Sequence, residues 1–410
     1  MKKIYQYLLA FMITLFYSAS YANVTVNLQG QGQAQAIPIT ISSFDGDTTQ
    51  VISQVLANDL THSGQFEVFK LEQVINGNHL PQSTHYVVSG EYNGRQATLT
   101  LWDSSSKTAI ARFHSNRQNL RQLAHELSDQ VYQTLTGVQG IFSTKIAYTI
   151  GNTLYLADYD GDNAQIVVQA TAPILSPAWS PDGAYLAYTS LELDKPVVFT
   201  INLHTGERKI VANFKGNNSA PAWSPDGQTL AVALSGDAIS NIYLIAANGS
   251  SSKPQKLTYT SEIDTEPVFF PNNSGIIFTS DRSGSAQIYR TGLTPNGLAS
   301  RLTYSGTKNI NPAISSDGTK IAYSSLRNGH YVIAVQPIGG TYSNVLTDGD
   351  LDLSPTFSPN NMQILYLDNG QLSLVSLDGN YHYRFPLMNN ISSVAWGPYA
   401  TSSFTNSSSQ

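Results

Sequence analysis

Residues 177–190 read PAWSPDGAYLAYTS, and residues 221–233 read PAWSPDGQTLAVA. The same phrase recurs 44 residues on, and a fixed period of this size marks a repeat architecture. Four worn copies follow: PVFFPNNSGIIFTS from Pro267, PAISSDGTKIAYSS from Pro312, PTFSPNNMQILYL from Pro355 and VAWGPY from Val394. Their spacings are 46, 45, 43 and 39 residues. In Ser180-Pro181-Asp182-Gly183 the proline presets φ at the second turn position, the aspartate can bond its own backbone, and the glycine closes the turn. The alternating run Ala184–Tyr188 that follows is a strand, so each unit opens as a hairpin. Two more strand-like stretches, Val197–Leu203 and Arg208–Phe214, precede the next copy. Four strands in about 45 residues make one propeller blade, and six copies predict a six-bladed β-propeller.

The chain ends indicate how the ring closes. The sixth copy has its first strand and then only the polar tail TSSFTNSSSQ (401–410). Three strands without an opening partner precede the first copy: Lys145–Ile150, Asn152–Asp158 and Gln165–Gln169. Joining the C-terminal strand to these three completes a blade and leaves no open sheet edge. A linear β-solenoid has no use for complementary partial repeats at its two ends.

The N-terminus, MKKIYQYLLAFMITLFYSASYA, places Lys2 and Lys3 before an apolar core, Leu8–Phe16, and ends in small residues. It reads as a signal peptide (1–22) cleaved after Ala22, its core being shorter than the roughly 20 residues needed to span a bilayer. Its removal takes the formal net charge from −6 to −8. A mildly acidic, exported chain of this kind suits neither nucleic acid nor an anionic membrane surface, and direct membrane insertion is not expected. There is no cysteine. Packing alone must hold the exported protein, and thiol chemistry is excluded.

Residues 34–140 lack the repeat and read as a mixed α/β domain placed before the propeller at 141–400. Ala36–Ile41 alternates as a strand; Asp47-Thr48-Thr49-Gln50 looks like a capping box before the stripe Val51, Ile52, Val55, Leu56, Leu60, which ends near Gly64. Tyr86–Tyr92 and Gln96–Trp102 form a hairpin at Asn93-Gly94, followed by a strand at Thr108–His114. A second helix carries Leu120, Leu123, Ala124, Leu127, Val131 and Leu135 on one side and is capped by Gly137. Ahead of this domain, in residues 23–33, Val24, Val26 and Leu28 alternate before Gly30 and Gly32. This stretch is either an edge strand or a detachable segment able to add a strand to a partner.

No catalytic signature is present. The histidines are scattered; His125-Glu126 lacks the second histidine of a zinc helix and reads as part of a solvated helix face. Asp158-Tyr-Asp160-Gly-Asp162 has a misplaced glycine and no closing glutamate for a calcium loop, and reads as a strand–strand turn. The chain contains neither a G-x-S-x-G elbow nor a phosphate loop. The expectation is a binding protein with no catalytic residue, no metal site and no cofactor.

A propeller has two faces, and the loops leading into the innermost strands surround one mouth of the channel, opposite the S-P-D-G turns. Two of these loops are acidic: Glu262-Ile-Asp264-Thr-Glu266 and Asp348-Gly-Asp350-Leu-Asp352. Two such triplets aimed at one mouth point to a charge-complementary partner site.

A signal peptide, a small α/β domain and six P-A-W-S-P-D-G-x-x-L-A-Y repeats resemble the TolB family of the Tol–Pal system over essentially the whole mature chain. The most specific match is Thr265-Glu266-Pro267 to Pro271 followed by Phe278-Thr279-Ser280-Asp281. The resemblance implies a periplasmic, non-enzymatic adaptor, expected as a monomer. It would bind the lipoprotein Pal at the propeller mouth and TolA through its mature N-terminus, supporting outer-membrane integrity and constriction at division. Carried over by position, the Pal contacts fall on Ser176, Asn217, Ala220, Thr265 and Glu266, with Asn217 where the family pattern has histidine. The TolA-binding segment falls on Asn23, Val24, Thr25, Val26, Asn27 and Leu28, without the family's acidic residues, and the resemblance favours a switch segment over an edge strand there. Two other classes stay open: a peptidase-guarding propeller, opposed by the missing catalytic domain, and a sugar- or cation-binding propeller using its channel.

Overall fold

The computed structural model describes residues 36–399, apart from 76, 78, 237, 238 and 387. The leader, the segment 23–33 and the tail 401–410 lie outside the described residues.

The N-terminal unit is a five-stranded sheet with two helices. Its elements are β1 (Ile37–Asp45), α1 (Val51–His62), β2 (Phe66–Val74), β3 (Tyr86–Tyr92), β4 (Ala97–Asp103), β5 (Thr108–Ser115) and α2 (Leu120–Thr136). The sheet order is β2-β1-β3-β4-β5, with β1 parallel to both of its neighbours. Strand β2 is absent from the sequence-based expectation. It is an edge strand of which only Phe66 is buried, so it lacks the apolar alternation that marks a half-buried strand. The expected capping box before α1 is also corrected. Gln50 occupies the cap position with φ 56° and bonds nothing with its side chain. Asp47 caps from outside: its Oδ2 accepts from Ile52 N at 2.9 Å, and its Oδ1 accepts from the Thr49 hydroxyl at 2.6 Å. Helix α2 begins at Asn119, whose side chain accepts from the Arg121 and Gln122 amides, and ends at Gly137 with φ 74°.

The rest is the expected ring. Six four-stranded antiparallel sheets follow one another, and the last is built from both ends of the described chain. Ser393–Trp396 pairs with Lys145–Ile150, placing Val394 opposite Tyr148 and Trp396 opposite Ile146. Blades 1 to 5 begin at their innermost strands Ile174–Trp179, Asn218–Trp223, Asp264–Phe269, Lys308–Ile314 and Asp352–Phe357; blade 6 is the closing sheet. The repeated turn works as its residue types require. Ser180 Oγ donates to Asp182 Oδ1 at 2.6 Å and accepts from Tyr185 N at 2.8 Å, while Gly183 takes φ 74°. The repeated tryptophan ties neighbours together: Trp223 Nε1 donates to Ala178 O, and Trp179 Nε1 to Ala395 O, both at 3.1 Å.

The α/β unit and the ring share one core. Ile39, Leu56, Leu99, Leu127 and Val131 are buried in the same cluster as Leu365, Leu372 and Trp396 of blades 5 and 6. Gln363 and Asn360, at the S-P-D-G-type turn of blade 5, bond the His62 and Gln139 carbonyls, so the unit docks on the turn side. The opposite face, with the entry loops, is left clear of these contacts.

Candidate binding site at the propeller mouth

Each of blades 1 to 5 departs from regular pairing at the same place. The residue immediately before the repeat proline has a positive φ without being glycine: Ser176 at 52°, Ala220 at 48°, Glu266 at 53°, Asn311 at 51° and Ser354 at 55°. The pairing register of the innermost strand jumps there in every case, as between Thr265 and Val268. Proline cannot donate to the ladder, so it is accommodated by a bulge that throws two residues out of it. Left-handed backbone before proline is strained, and strain held at five equivalent positions around one opening marks a functional rim.

Side chains of adjacent blades hold this rim. Glu266 Oε2 accepts from Asn311 N at 2.8 Å and from Thr279 Oγ1 at 2.7 Å, and its Oε1 accepts from Asn311 Nδ2 at 2.7 Å. Ser176 N donates to Ser393 Oγ at 3.0 Å, and Ala220 N to Thr189 Oγ1 at 3.2 Å. The channel inside the rim has a volume of about 670 Å³. Of the five positions expected to meet a partner, Ser176, Ala220 and Glu266 line this channel; Thr265 and Asn217 do not. Thr265 is half-buried, opposite Thr279 in the strand pair. Asn217 is exposed in the entry loop, its amide donating to Ser235 Oγ at 2.8 Å. The expected TolA-binding residues Asn23 to Leu28 lie outside the described residues.

The acidic loops do not aim all their charge at the mouth. Asp264 is fully buried and takes both its bonds from Arg282 Nη2, at 2.8 and 2.9 Å. Asp352 is buried too; its Oδ2 accepts from Gly349 N at 3.2 Å, and loss of solvation raises its carboxyl above the usual range. Both stand three residues before a repeat proline, where blades 2 and 4 carry Asn218 and Asn309. Those asparagines knit their own entry loops: Asn218 accepts from Phe214 N and donates to Phe214 O and Gly216 O. The position is internal in every one of these blades: Ile174 fills it in blade 1, asparagine in blades 2 and 4, and aspartate in blades 3 and 5. Glu262, Asp348 and Asp350 remain exposed, with Asp350 paired to His330 at 2.8 Å.

Aliphatic side chains missed by the sequence reading stand among these acids. Ile263 is 51% exposed and Leu351 41%, both four residues before a repeat proline; Leu175, 39% exposed, stands in the blade 1 entry, which carries no acid. Exposed aliphatics on the entry-loop face offer a partner apolar area to bury, with the neighbouring carboxylates as its polar surround. The signal was available in Glu-Ile-Asp and Asp-Leu-Asp, where the central residue of each acidic run is apolar.

His125 corrects a second expectation. It lies on no solvated face, being 1% exposed where α1, α2 and blade 6 meet. Its Nδ1 stands 2.9 Å from Asp59 Oδ2, and Asp59 Oδ1 accepts from the Tyr159 hydroxyl at 2.8 Å. Burial pulls the imidazole pKa down, but Asp59, its hydrogen bond, Asp160 and Asp158 outweigh this and hold it at about 9. Asp59, His125 and Asp160 bring three donor atoms within 4.8 Å of one another, with His125 Nδ1 and Asp59 Oδ2 bonded directly to each other. The acids of the 158–162 turn have protein cations: Lys145 pairs with Asp158, and Arg121 with Asp160 and Asp162.

Comparison with known proteins agrees with this architecture. The profile of the TolB beta propeller domain matches residues 132–400, and that of the TolB amino-terminal domain matches residues 24–109. The chain is 41% identical over 411 residues to the Tol-Pal system protein TolB of Bordetella pertussis, covering 94% of this chain and 93% of that one. It is 31% identical to the Tol-Pal system protein TolB of Francisella tularensis, over 96% and 98% of the two chains. The crystal structure of TolB from Acinetobacter baumannii superposes with a TM-score of 0.80 at 34% identity, covering 89% of this chain and 97% of that one.

Proposed function

The chain belongs to the TolB family of Tol-Pal system proteins, and on that premise we propose that it is a non-enzymatic adaptor of the periplasm. In this reading the propeller mouth holds the lipoprotein Pal and the mature N-terminal segment, Asn23 to Leu28, holds TolA. The two contacts join the outer and inner membranes and support outer-membrane integrity and constriction at division. The observation that carries the reading is the entry-loop face: exposed Ile263 and Leu351 stand within the acidic runs 262–266 and 348–352, next along the chain to the strained positions Glu266 and Ser354 that line the open channel. Burying aliphatic side chains supplies affinity at about 25 cal/mol per Å², while rim carboxylates govern encounter and register.

The pre-proline residues divide the work in this proposal. Ser176 and Ala220 are small, keep the mouth wide and let a partner approach the strained backbone closely. Glu266 has its carboxylate committed to Thr279 and Asn311, so it presents a fixed surface without rearranging on contact. Export by the N-terminal leader puts the protein in the compartment where both partners are reachable, and no helix among the described residues is long and apolar enough to cross a membrane. Affinity purification of the tagged mature chain from a detergent extract tests the reading. Pal and TolA should co-purify, and recovery of neither would overturn it.

A further inference from the structure

On the turn face, away from the mouth, a cleft of about 420 Å³ opens between blades 1 and 2. We propose that it is a binding site for a neutral oligosaccharide, built on the aromatic pair Tyr185 and Trp223. The tyrosine breaks the repeat. Tyr185 occupies a position that carries Thr229, Gly275, Lys320 and Gln363 in the next four blades, so neither the turn nor the strand requires an aromatic there. Its side chain is 37% exposed, and its ring centroid lies 6.1 Å from that of Trp223 at an interplanar angle of 38°. Trp223 spends its indole N–H on Ala178 O at 3.1 Å, which pins the ring and leaves it as a stacking surface.

The remaining wall selects the class of ligand. Glu207 and Lys209 come from the outer edge of blade 1, and Gln228 and Asn248 from blade 2; all four are exposed. Amide, carboxylate and ammonium groups around two rings offer both donors and acceptors to a hydroxyl-rich molecule, while the rings take its C–H face. A lipid or other aliphatic ligand finds only Ala247 as an aliphatic neighbour in this cleft. An anion meets Asp182 and Glu207 against the single Lys209. The volume falls in the range of ordinary small-ligand clefts. The neutral sugar is the class that uses every part of the wall.

The test is calorimetric titration of the full-length mature protein with two β-1,4-linked tetrasaccharides, cellotetraose and chitotetraose, and with tetra-alanine as a peptide control. At least one sugar should bind with a dissociation constant of about millimolar or tighter. Tyr185→Thr, which installs the blade 2 residue and so keeps the fold, should weaken binding by about two- to tenfold, on the order of one aromatic stacking interaction. Glu207→Gln should weaken it less, with both variants melting as the parent does. The inference is overturned if neither sugar binds, if tetra-alanine binds in their place, or if Tyr185→Thr binds the sugar as tightly as the parent.

Discussion

Glu266 and Asn311 are joined twice across the boundary between blades 3 and 4, the carboxylate accepting from the Asn311 amide at 2.8 Å and from its side-chain Nδ2 at 2.7 Å. Both residues have positive φ, and each stands directly before a repeat proline. The link therefore fixes two strained rim positions against each other. Glu266→Ala should destabilise the protein by about 1–3 kcal/mol, because it strips a charged acceptor from partly buried donors. Glu266→Gln retains one acceptor oxygen and should lose less. Thermal melts of both variants check the order; equal melting of Glu266→Ala and the parent would show that the carboxylate does not hold the rim.

Among the described residues, the fully buried carboxylate of Asp264 has Arg282 as its side-chain partner. Arg282→Ala leaves that charge without its partner and should cost about 3–5 kcal/mol. The double variant Arg282→Ala with Asp264→Asn restores a residue that blades 2 and 4 tolerate, and should recover much of the loss. Denaturant unfolding of the single and double variants measures the coupling. An additive pair would contradict the structural role given to Asp264.

The buried His125–Asp59 pair predicts an alkaline dependence. The folded-state pKa of about 9 lies above the unfolded value near 6.5, so protonation stabilises the folded form. That contribution is complete below about pH 6.5 and is lost as pH rises through about 9. Melting temperatures of the parent and His125→Gln from pH 6 to 10 should converge toward the alkaline end. A constant difference would mean that the imidazole is neutral throughout.

Deletion of residues 23–33 should abolish TolA binding while leaving the propeller's melting unchanged. If the segment also biases the mouth, linkage requires TolA and Pal to alter each other's affinity by one common factor, typically worth about 1–3 kcal/mol. Titrations of each partner in the presence and absence of the other measure that factor. Unaltered TolA binding after deletion would return the segment to an ordinary edge strand.

The ring was legible because its signals are local and repeated. Ser180-Pro181-Asp182-Gly183 specifies a turn on its own, and the single strand Ser393–Trp396 left over at one end matches the gap at the other. Strand β2 was not legible, because an edge strand with only Phe66 buried carries no period. The burial of His125 was hidden for a different reason: Tyr159 and Asp160 reach it from blade 6, a contact between distant parts of the chain. The burial of Asp264 and Asp352 has a signal once the copies are aligned on their prolines, since the equivalent residue of blade 1 is the apolar Ile174. At the mouth the sequence overstated charge and passed over Ile263 and Leu351.

The most direct test of the adaptor account is calorimetric titration of Pal into the mature protein and into an Ile263→Asp, Leu351→Asp double variant. Both side chains are exposed, so the variant should melt within about 0.5 kcal/mol per site of the parent. The account predicts that Pal binds the parent and loses at least about tenfold in affinity to the variant, since two aliphatic contacts are replaced by desolvated charges. Equal affinity for the two proteins would contradict it and move the Pal site away from the mouth.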